Sequence, residues 1–252
     1  MLELKKELEN IKDSFSRISE IVYKTPVLSS ISINKALKAD ITFKAECLQE
    51  TGSFKLRGAS SAISVLSKEE KSRGVVAFSS GNHAQGIAYA SRELGTSAKI
   101  VMPSDAPKIK IWKTQEYGAE VIFYERDEDN REEIGFSIAK EEGRKLIKPF
   151  DDLNVIYGQG TAALEVMDEV DTKFDMSVVC CSGGGLAAGT GIVLKNSLSD
   201  CQLYTAEPKD WNDHEKSFLQ NNIVSIKTKK HGMCDALENP QPGEITFRIN
   251  SA

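Results

Sequence analysis

The regular alternation of short apolar runs with longer segments of helical period is the feature that most constrains the fold. "GVVAFSS", "SAKIVMP" and "AEVIFYE" have the length and composition of buried strands, and each precedes a helix-like segment that ends at a glycine. The same order returns at "MSVVCCS", which runs into "GGGLAAGTGIVLKNSL", and a strand-like "CQLYTAEP" follows. Repeated units of this kind predict an α/β fold in which helices cover both faces of parallel-rich open sheets.

The N-terminal part of the chain continues this pattern. Residues 1–23 mix acidic, basic and apolar side chains in a way that predicts an amphipathic helix. "ITFKAE", residues 41–46, predicts another strand of the alternation. Residues 58–71 have apolar side chains at helical spacing and predict helical structure.

Charge and cysteine content narrow the class of protein. A net charge of −5 and a pI near 5.4 argue against a nucleic-acid-binding surface. No apolar run in the sequence approaches the roughly 20 residues that cross a membrane. The five cysteines are odd in number and lack the spacing of a zinc site, so they predict reduced, buried thiols in a cytoplasmic protein.

Three glycines follow the strand-like segment "MSVVCCS". In "CCSGGGLAAG", residues 180–189, they allow backbone N–H groups to converge just before a predicted helix. Because a helix N-terminus carries partial positive charge, a phosphate group is the ligand that suits this loop. The alternative is a tight turn that needs glycine for steric reasons alone, and the loop by itself does not decide between the two.

A second strand-to-helix turn, "FSSGNHAQG" at residues 78–86, is rich in polar side chains. Ser79, Ser80, Asn82 and His83 all lie near a predicted helix N-terminus, where they can bind a carboxylate or a phenolic oxygen. Capping the helix would need one such side chain only. Four of them exceed that need, so the turn indicates a binding site.

The third candidate is Lys55, which lies between Phe54 and Leu56 in "ETGSFKLRGA". In an apolar setting a lysine amine loses the solvation of its charge, its pKa falls, and it becomes a nucleophile suited to Schiff-base chemistry. Taken alone, a surface lysine beside Arg57 is the simpler interpretation. A phosphate-binding loop, a carboxylate- or phenol-binding turn and an activated lysine are, however, together what a pyridoxal phosphate enzyme requires.

Four motifs in this order strengthen that interpretation. "TGSFKLRGA", "SSGNHAQGIA", "GQGTAALEV" and "SGGGLAAG" resemble the fold-type II pyridoxal phosphate enzymes, and within them the serine/threonine dehydratase (ammonia-lyase) and serine racemase family. The resemblance runs from about Ile21 to the end of the chain. It implies a two-domain fold like that of the tryptophan synthase β subunit. Residues 74–150 would be a small inserted α/β domain, and residues 1–73 and 151–252 the large cofactor-binding domain.

The resemblance also implies roles for single residues. Lys55 would carry the cofactor and later remove the substrate Cα proton, and Asn82 would bind the phenolic oxygen of the cofactor. Ser80 corresponds to the acid/base that racemases use on the opposite face. The implied phosphate ligands are the N–H groups of Gly183, Gly184, Gly185 and Leu186 with the Ser182 hydroxyl, and the implied ligands of the substrate carboxylate are Ser79, Asn82 and His83.

The activity implied by the resemblance is conversion of L-threonine or L-serine to a 2-oxo acid and ammonia. Racemisation of serine or aspartate and dehydration of 3-hydroxyaspartate are the alternatives, because one pocket supports all of them. Arg131 matches an arginine that can contact a second substrate carboxylate, although a solvated arginine at a helix start is the simpler interpretation. Relatives are commonly dimers, so a homodimer is the expected assembly.

A metal site outside the active site is implied as well. Glu207 and Asp213 of "AEPKDWND", with the Trp211 carbonyl between them, match positions at which relatives bind Mg²⁺ or Ca²⁺. Oxygen ligands suit these ions. The alternative is an acidic surface loop without a metal.

Relatives continue beyond the "GEITF" stretch through further helices and a strand, which supply a Ser-Gly-Gly-Asn turn whose serine faces the pyridine nitrogen. The present sequence stops at Ala252. We therefore expect a C-terminally shortened member of the family, for which an inactive cofactor-binding fragment is a further alternative.

Overall fold

The computed structural model describes residues 3–126, 128–170, 173–228 and 230–252. Helices and strands alternate through most of these residues. The strands are β1 (Val27–Ser29), β2 (Thr42–Lys44), β3 (Val75–Phe78), β4 (Ala98–Pro103), β5 (Glu120–Tyr124), β6 (Lys145–Leu146), β7 (Met176–Cys180) and β8 (Gln202–Ala206). The helices are α1 (Leu4–Ile18), α2 (Ile31–Leu37), α3 (Lys55–Ser64), α4 (Lys68–Arg73), α5 (Asn82–Glu93), α6 (Lys108–Glu116), α7 (Arg131–Glu142), α8 (Leu153–Glu169), α9 (Gly185–Ser197), α10 (Asp213–Gln220) and α11 (Glu244–Asn250).

Two parallel sheets form the framework. Strands β5, β4, β3 and β6 pair in that order in a four-stranded parallel sheet, and β7 pairs in parallel with β8. Helices cover both faces of the larger sheet: Val75 and Ala77 of β3 pack in the core that includes α3 and α5, whereas Val76 and Phe78 face α7. The α/β fold with parallel sheets between helices is therefore confirmed.

The predicted domain boundaries at residues 74–150 stay a prediction. The four-stranded sheet lies wholly within this range. Its core nevertheless continues beyond the range, because Leu56 of α3 and Ile87 of α5 belong to one apolar cluster.

Two elements differ from the sequence prediction. "ITFKAE" does form β2, but β2 pairs antiparallel with β1, with Leu28 opposite Phe43, and so lies outside the parallel sheets. Its residues do not encode the direction of the partner strand. The helical structure predicted at residues 58–71 is present but divided between two helices, because α3 begins earlier, at Lys55, and α4 begins separately after Ser67. Ser67 and Glu70 form a capping box that satisfies backbone N–H groups at the start of α4.

The cysteines are free thiols, as predicted, but their predicted burial is wrong for most of them. Cys181 alone is buried, whereas Cys47, Cys180 and Cys234 are exposed and Cys201 is intermediate. Adjacent residues of an extended chain point to opposite sides, which separates Cys180 from Cys181. Within the part of the chain that the structure describes, no helix is long and apolar enough to cross a membrane.

A buried ion network anchors α3. The Arg57 side chain is fully buried, and its Nε donates to Glu46 Oε2 at 2.7 Å while its Nη1 donates to Glu165 Oε1 of α8, also at 2.7 Å. Lys44 Nζ of β2 lies 2.6 Å from Glu165 Oε2. Two cations and two carboxylates therefore balance each other where α3, α8 and the segment after β2 meet.

Replacing Arg57 with leucine should leave Glu46 and Glu165 without their shared partner in a region closed to water. We expect the free energy of unfolding, measured with urea, to fall by about 3–5 kcal/mol. Arg126→Ala is the matched control, because the exposed Arg126 guanidinium pairs with Asp105 at 2.8 Å on the surface. That change should cost less than about 1 kcal/mol. Similar losses in the two variants would show that the Arg57 network does not hold α3.

Candidate active site

Three chain segments that are distant in sequence meet at residues 147–151, directly after β6. Lys55 Nζ donates to the Pro149 carbonyl at 2.8 Å, and His83 Nε2 lies 3.2 Å from the Ile147 carbonyl. The Phe150 ring occupies the space beside Gly183, where a Cβ on this glycine would overlap it. The lysine, the turn after β3 and the glycine loop after β7 are thus brought together by one short stretch of chain.

Sequence reasoning missed residues 147–151. Strand β6 contains only Lys145 and Leu146, which is too short for an apolar run to reveal it. Its position in the sequence could have revealed it. The stretch lies between two helix-like segments, where a βα unit is expected to have a strand, and functional loops follow the carboxyl ends of such strands.

Lys55 is the first residue of α3, and its environment is less polar than that of a surface lysine. Its Nζ lies 5.4 Å from the centre of the Phe54 ring, in addition to the contact with Pro149. Loss of solvation lowers the pKa of Lys55 to about 8, and the nearby Cys180 thiol opposes part of this shift. The amine is therefore neutral, and nucleophilic, at a lower pH than an ordinary lysine.

The N-terminus of α5 is open towards this site. Its N-cap is Gly81, which makes no side-chain hydrogen bond to the helix. By contrast, Asn130 and Asp152 cap α7 and α8 through their side chains. The first N–H groups of α5 therefore remain available to an anion such as a carboxylate. Ser79, which precedes the helix, accepts a hydrogen bond from the Gly81 N–H at 3.2 Å.

His83 lies buried in the first turn of α5. Burial, and then the charge of Lys55, lower the pKa of His83 to about 3. The neutral ring that results can donate from Nε2 to the Ile147 carbonyl, which leaves Nδ1 as an acceptor only. A carboxylate needs a donor, so the His83 backbone N–H suits it better than the His83 ring.

The glycine loop combines steric need with an open helix terminus. Gly184 has a φ of 90°, in the left-handed region, and a Cβ there would lie 2.5 Å from His214 Nε2. Thr246 Oγ1 donates to the Gly183 carbonyl at 2.6 Å. Because the C=O and N–H of a trans peptide point in opposite directions, the Gly184 N–H points away from Thr246. Helix α9, like α5, begins without a side-chain cap. The loop thus fulfils the steric interpretation, and it also leaves the first N–H groups of α9 without a side-chain cap, an arrangement that suits a phosphate.

The remaining predicted site residues lie on the same two turns. Ser80 and Asn82 are partly exposed at the turn after β3, and Ser182 and Leu186 are partly exposed at the glycine loop. These positions leave them accessible to a bound molecule.

A sequence profile of the family described as "Pyridoxal-phosphate dependent enzyme" matches residues 18–251. The chain belongs to this family. L-threo-3-hydroxyaspartate ammonia-lyase of Saccharomyces cerevisiae is 45% identical over 240 residues, which cover 95% of this chain and 73% of that protein. Serine racemase of Schizosaccharomyces pombe is 41% identical over 241 residues, covering 96% of this chain and 74% of that protein. The crystal structure of Dictyostelium discoideum serine racemase superposes with a TM-score of 0.89 at 39% identity, covering 97% of this chain and 77% of that chain.

These similarities confirm the fold-type II pyridoxal-phosphate dependent enzyme and its group of racemases and ammonia-lyases. The chain spans about three quarters of the length of these relatives. The residues present fit pyridoxal phosphate. The desolvated amine of Lys55 contacts Pro149, and the next residue, Phe150, contacts the glycine loop, where α9 begins without a side-chain cap.

A second polar cluster lies outside this site, at the start of α10. Ligand atoms of Glu207, Asp213 and His214 all lie within 4.8 Å of one another. Burial, reinforced by the charge of Asp213, raises the pKa of Glu207. Neither carboxylate oxygen of Asp213 has a hydrogen-bond partner among the described residues. Buried carboxylates of this kind fit a cation.

The structure adds one residue to this cluster and leaves the predicted role of Trp211 untested. The Trp211 indole donates to the Lys230 carbonyl at 2.8 Å, and the role of the Trp211 carbonyl stays a prediction. His214 was not predicted at all, although it directly follows Asp213 in the sequence.

The lowered pKa of Lys55 predicts how its reactivity depends on pH. Below about pH 8 the amine is mainly a protonated, unreactive ammonium, and above it the free amine dominates. Acylation of Lys55 in the cofactor-free protein, quantified by peptide mass spectrometry between about pH 6 and 11, should rise with a midpoint near 8. A midpoint at the ordinary lysine value of about 10.4 would contradict the apolar environment.

The glycine loop predicts a selective effect on cofactor binding. Gly184→Ala places a Cβ against His214 at a left-handed φ, and should weaken pyridoxal phosphate binding at least about tenfold, or 1.4 kcal/mol. A titration followed by visible absorbance measures this. Gly191→Ala, in α9, is the control, because its Cβ meets Leu203 at a tolerable 3.3 Å. Equal affinities in the two variants would remove the loop from the cofactor site.

Proposed function

We propose that the protein is a pyridoxal phosphate-dependent ammonia-lyase that converts a small 3-hydroxy amino acid to a 2-oxo acid and ammonia. The observation that carries this proposal is the meeting, at residues 147–151, of the Lys55 amine, the open α5 N-terminus and the glycine loop. The net reaction is balanced, because the water lost with the 3-hydroxyl is taken up again when ammonia is released.

In this proposal the chain's own groups hold the cofactor at both ends. The amine of Lys55 would bind it covalently, and Asn82 would donate to its phenolic oxygen. When bound, the cofactor supplies a ring that withdraws electrons and stabilises negative charge at the substrate Cα. The N–H groups of Gly183, Gly184, Gly185 and Leu186, with the Ser182 hydroxyl, bind its phosphate.

The turn after β3 orients the substrate. The Ser79 hydroxyl and the N–H groups of Asn82 and His83 bind the substrate carboxylate at the positive end of α5. The amine of Lys55, once released, takes the Cα proton, and a pKa of about 8 keeps it a useful base near neutral pH. The 3-hydroxyl would then gain a proton and leave as water, so that the proton removed from Cα is balanced by one taken up at the leaving oxygen.

Arg131 favours 3-hydroxyaspartate over serine and threonine as the substrate. Its guanidinium lies 5.7 Å from the centre of the Phe78 ring, and Phe78 immediately precedes Ser79. This contact puts the guanidinium against the last residue of β3, the strand that leads into the carboxylate-binding turn, and a guanidinium there suits a second substrate carboxylate. The 45% identical relative from Saccharomyces cerevisiae, an L-threo-3-hydroxyaspartate ammonia-lyase, supports the same choice.

The test is an assay of 2-oxo acid formation from L-threo-3-hydroxyaspartate, L-serine and L-threonine. Lys55→Ala should abolish all three activities. Arg131→Gln should lower kcat/KM for 3-hydroxyaspartate at least about tenfold, because it removes a charged contact worth about 1.4 kcal/mol. It should change kcat/KM for L-serine and L-threonine little. Arg126→Gln, a surface arginine next to Asp105, is the control. A cofactor-loaded protein that forms no 2-oxo acid would favour the inactive-fragment alternative.

Racemisation of serine is the second candidate, and it rests on Ser80. This residue lies on the turn between Ser79 and the α5 N-terminus, and two serine racemases at 41% and 39% identity are similar to the chain. Chiral analysis of the serine remaining in the same assay tests it. Ser80→Ala should abolish D-serine formation while 2-oxo acid formation persists. An absence of D-serine in the wild type excludes this activity.

We extend the proposal to a bound metal ion, to the oligomeric state and to the cellular compartment. Glu207, the Trp211 carbonyl and Asp213 would hold Mg²⁺ or Ca²⁺, as oxygen ligands suit. A homodimer is the assembly that we propose by analogy with the family. Five free thiols are typical of a reducing compartment and support a cytoplasmic location.

A further inference from the structure

Two polar side chains of α11 hold backbone carbonyls of the glycine loop. Thr246 is fully buried, and its Oγ1 donates to the Gly183 carbonyl at 2.6 Å. Asn250 lies one helical turn further along and donates from Nδ2 to the Gly184 carbonyl at 3.2 Å. Residues one turn apart lie on the same face of a helix, so a single face of α11 holds two consecutive carbonyls of the loop.

These two contacts set the direction of the N–H groups that follow the held carbonyls. The C=O and N–H of a trans peptide point in opposite directions. With both carbonyls turned towards α11, the N–H groups of Gly184 and Gly185 point away from that helix. Helix α9 begins at Gly185 without a side-chain cap, so a phosphate oxygen can accept hydrogen bonds from the N–H groups at this end.

A loop of three glycines needs support of this kind. Glycine has more backbone freedom than any other residue, and Gly184 adopts a φ of 90°, in the left-handed region. Glycines also have no side chains with which to fix their own peptide planes. An anion that binds a mobile loop loses affinity because it must order the loop, whereas a loop that is already oriented avoids this cost.

Helix α11 is itself fixed at both ends. At its start, Asp151 Oδ1 accepts from the N–H groups of Ile245 at 2.8 Å and Thr246 at 3.4 Å, where the helix has no side-chain cap of its own. Asp151 belongs to residues 147–151, the segment that contacts the lysine amine. Near its end, Ile249 packs in the apolar cluster that α1, α8 and α9 share. The donors on α11 are therefore held in place independently of a bound cofactor.

We propose that Thr246 and Asn250 are positioning residues for the phosphate of the cofactor. They act through the peptide planes of the glycine loop, whose N–H groups they turn towards the phosphate, and not by contact with the phosphate itself. The inference rests on the phosphate-binding role that the proposed function gives to the glycine loop, and it adds to that role two residues of a different helix.

The test compares pyridoxal phosphate with pyridoxal, which lacks the phosphate group, as ligands of the cofactor-free protein. Both aldehydes can react with Lys55, and visible absorbance reports the binding of each. Thr246→Val removes the hydroxyl and nearly keeps the shape of the side chain. It should weaken binding of pyridoxal phosphate at least about fivefold, the effect of one hydrogen bond, and leave binding of pyridoxal within about twofold.

Further variants separate a positioning residue from one that only supports the fold. Thr246→Ser restores a hydroxyl and should bring the affinity for pyridoxal phosphate back to within about twofold of the wild type. Asn250→Leu makes the same comparison at a partly buried position, which a loss of folding affects less, and should act by a smaller factor because its contact is longer.

Thr114→Val in α6 is the matched control. Thr114 is also fully buried, and its hydroxyl donates to a backbone carbonyl, that of Lys110, at 2.8 Å. This change removes an equivalent hydrogen bond away from the glycine loop. It should leave the affinities for both aldehydes unchanged.

The outcomes distinguish this inference from the proposed function. Equal weakening of both aldehydes in Thr246→Val and Asn250→Leu overturns the inference, and so does an unchanged affinity for pyridoxal phosphate in both. A wild-type protein without any preference for pyridoxal phosphate over pyridoxal overturns it as well. The ammonia-lyase is judged separately, by 2-oxo acid formation, so a protein that shows the selective loss but forms no 2-oxo acid leaves this inference standing.

Discussion

The burial of Arg57 is the constraint on which the arrangement of this protein depends. A guanidinium with no exposed surface requires charged partners at short range, and Glu46 and Glu165 supply them from two other parts of the chain. Helix α3 is thereby held against α8 and the segment after β2. Lys55 lies half a turn away on the same helix, so the position of its amine follows from this network. The apolar setting that lowers the pKa of Lys55 is a result of the packing of α3, and not of its immediate neighbours alone.

The site then arises because parallel strands end at a common edge. The turn after β3 and the stretch after β6 leave neighbouring strands of one sheet, which brings His83 to the Ile147 carbonyl. Two helices start there with glycine caps, α5 at Gly81 and α9 at Gly184, whereas α7 and α8 carry polar side-chain caps. The N–H groups at these two helix starts are therefore free of a side-chain cap at places where anionic groups of a cofactor and a substrate are expected.

Local sequence patterns predicted the positions of the strands and helices better than they predicted which of these pack or pair with each other. The strands within "GVVAFSS", "SAKIVMP" and "AEVIFYE" are present because short apolar runs bounded by turn residues favour an extended chain. The first two are largely buried, whereas in β5 only Tyr124 is buried and Phe123 is 51% exposed. The antiparallel pairing of β2 and the exposure of Cys180 depend on which neighbour a strand meets, so the same patterns did not reveal them. His214 was missed for a similar reason, because its Nδ1 acquires meaning only when folding places Glu207 3.7 Å away.

The sequence by itself determined the succession of strands and helices, the three stretches that carry the chemistry, and membership of the pyridoxal-phosphate dependent enzymes. These properties depend on residues that are close together along the chain. The spacing of apolar residues, the spacing of glycines and the order of the motifs are therefore visible in the sequence itself. Only the tertiary structure decided that Lys55, His83 and Gly183 share the segment at residues 147–151, and that His214 joins two acids beside the glycine loop. The contacts of Lys55 with Pro149 and of His83 with Ile147 join residues 94 and 64 positions apart. Such contacts depend on the packing of whole helices and sheets, and no local pattern specifies them.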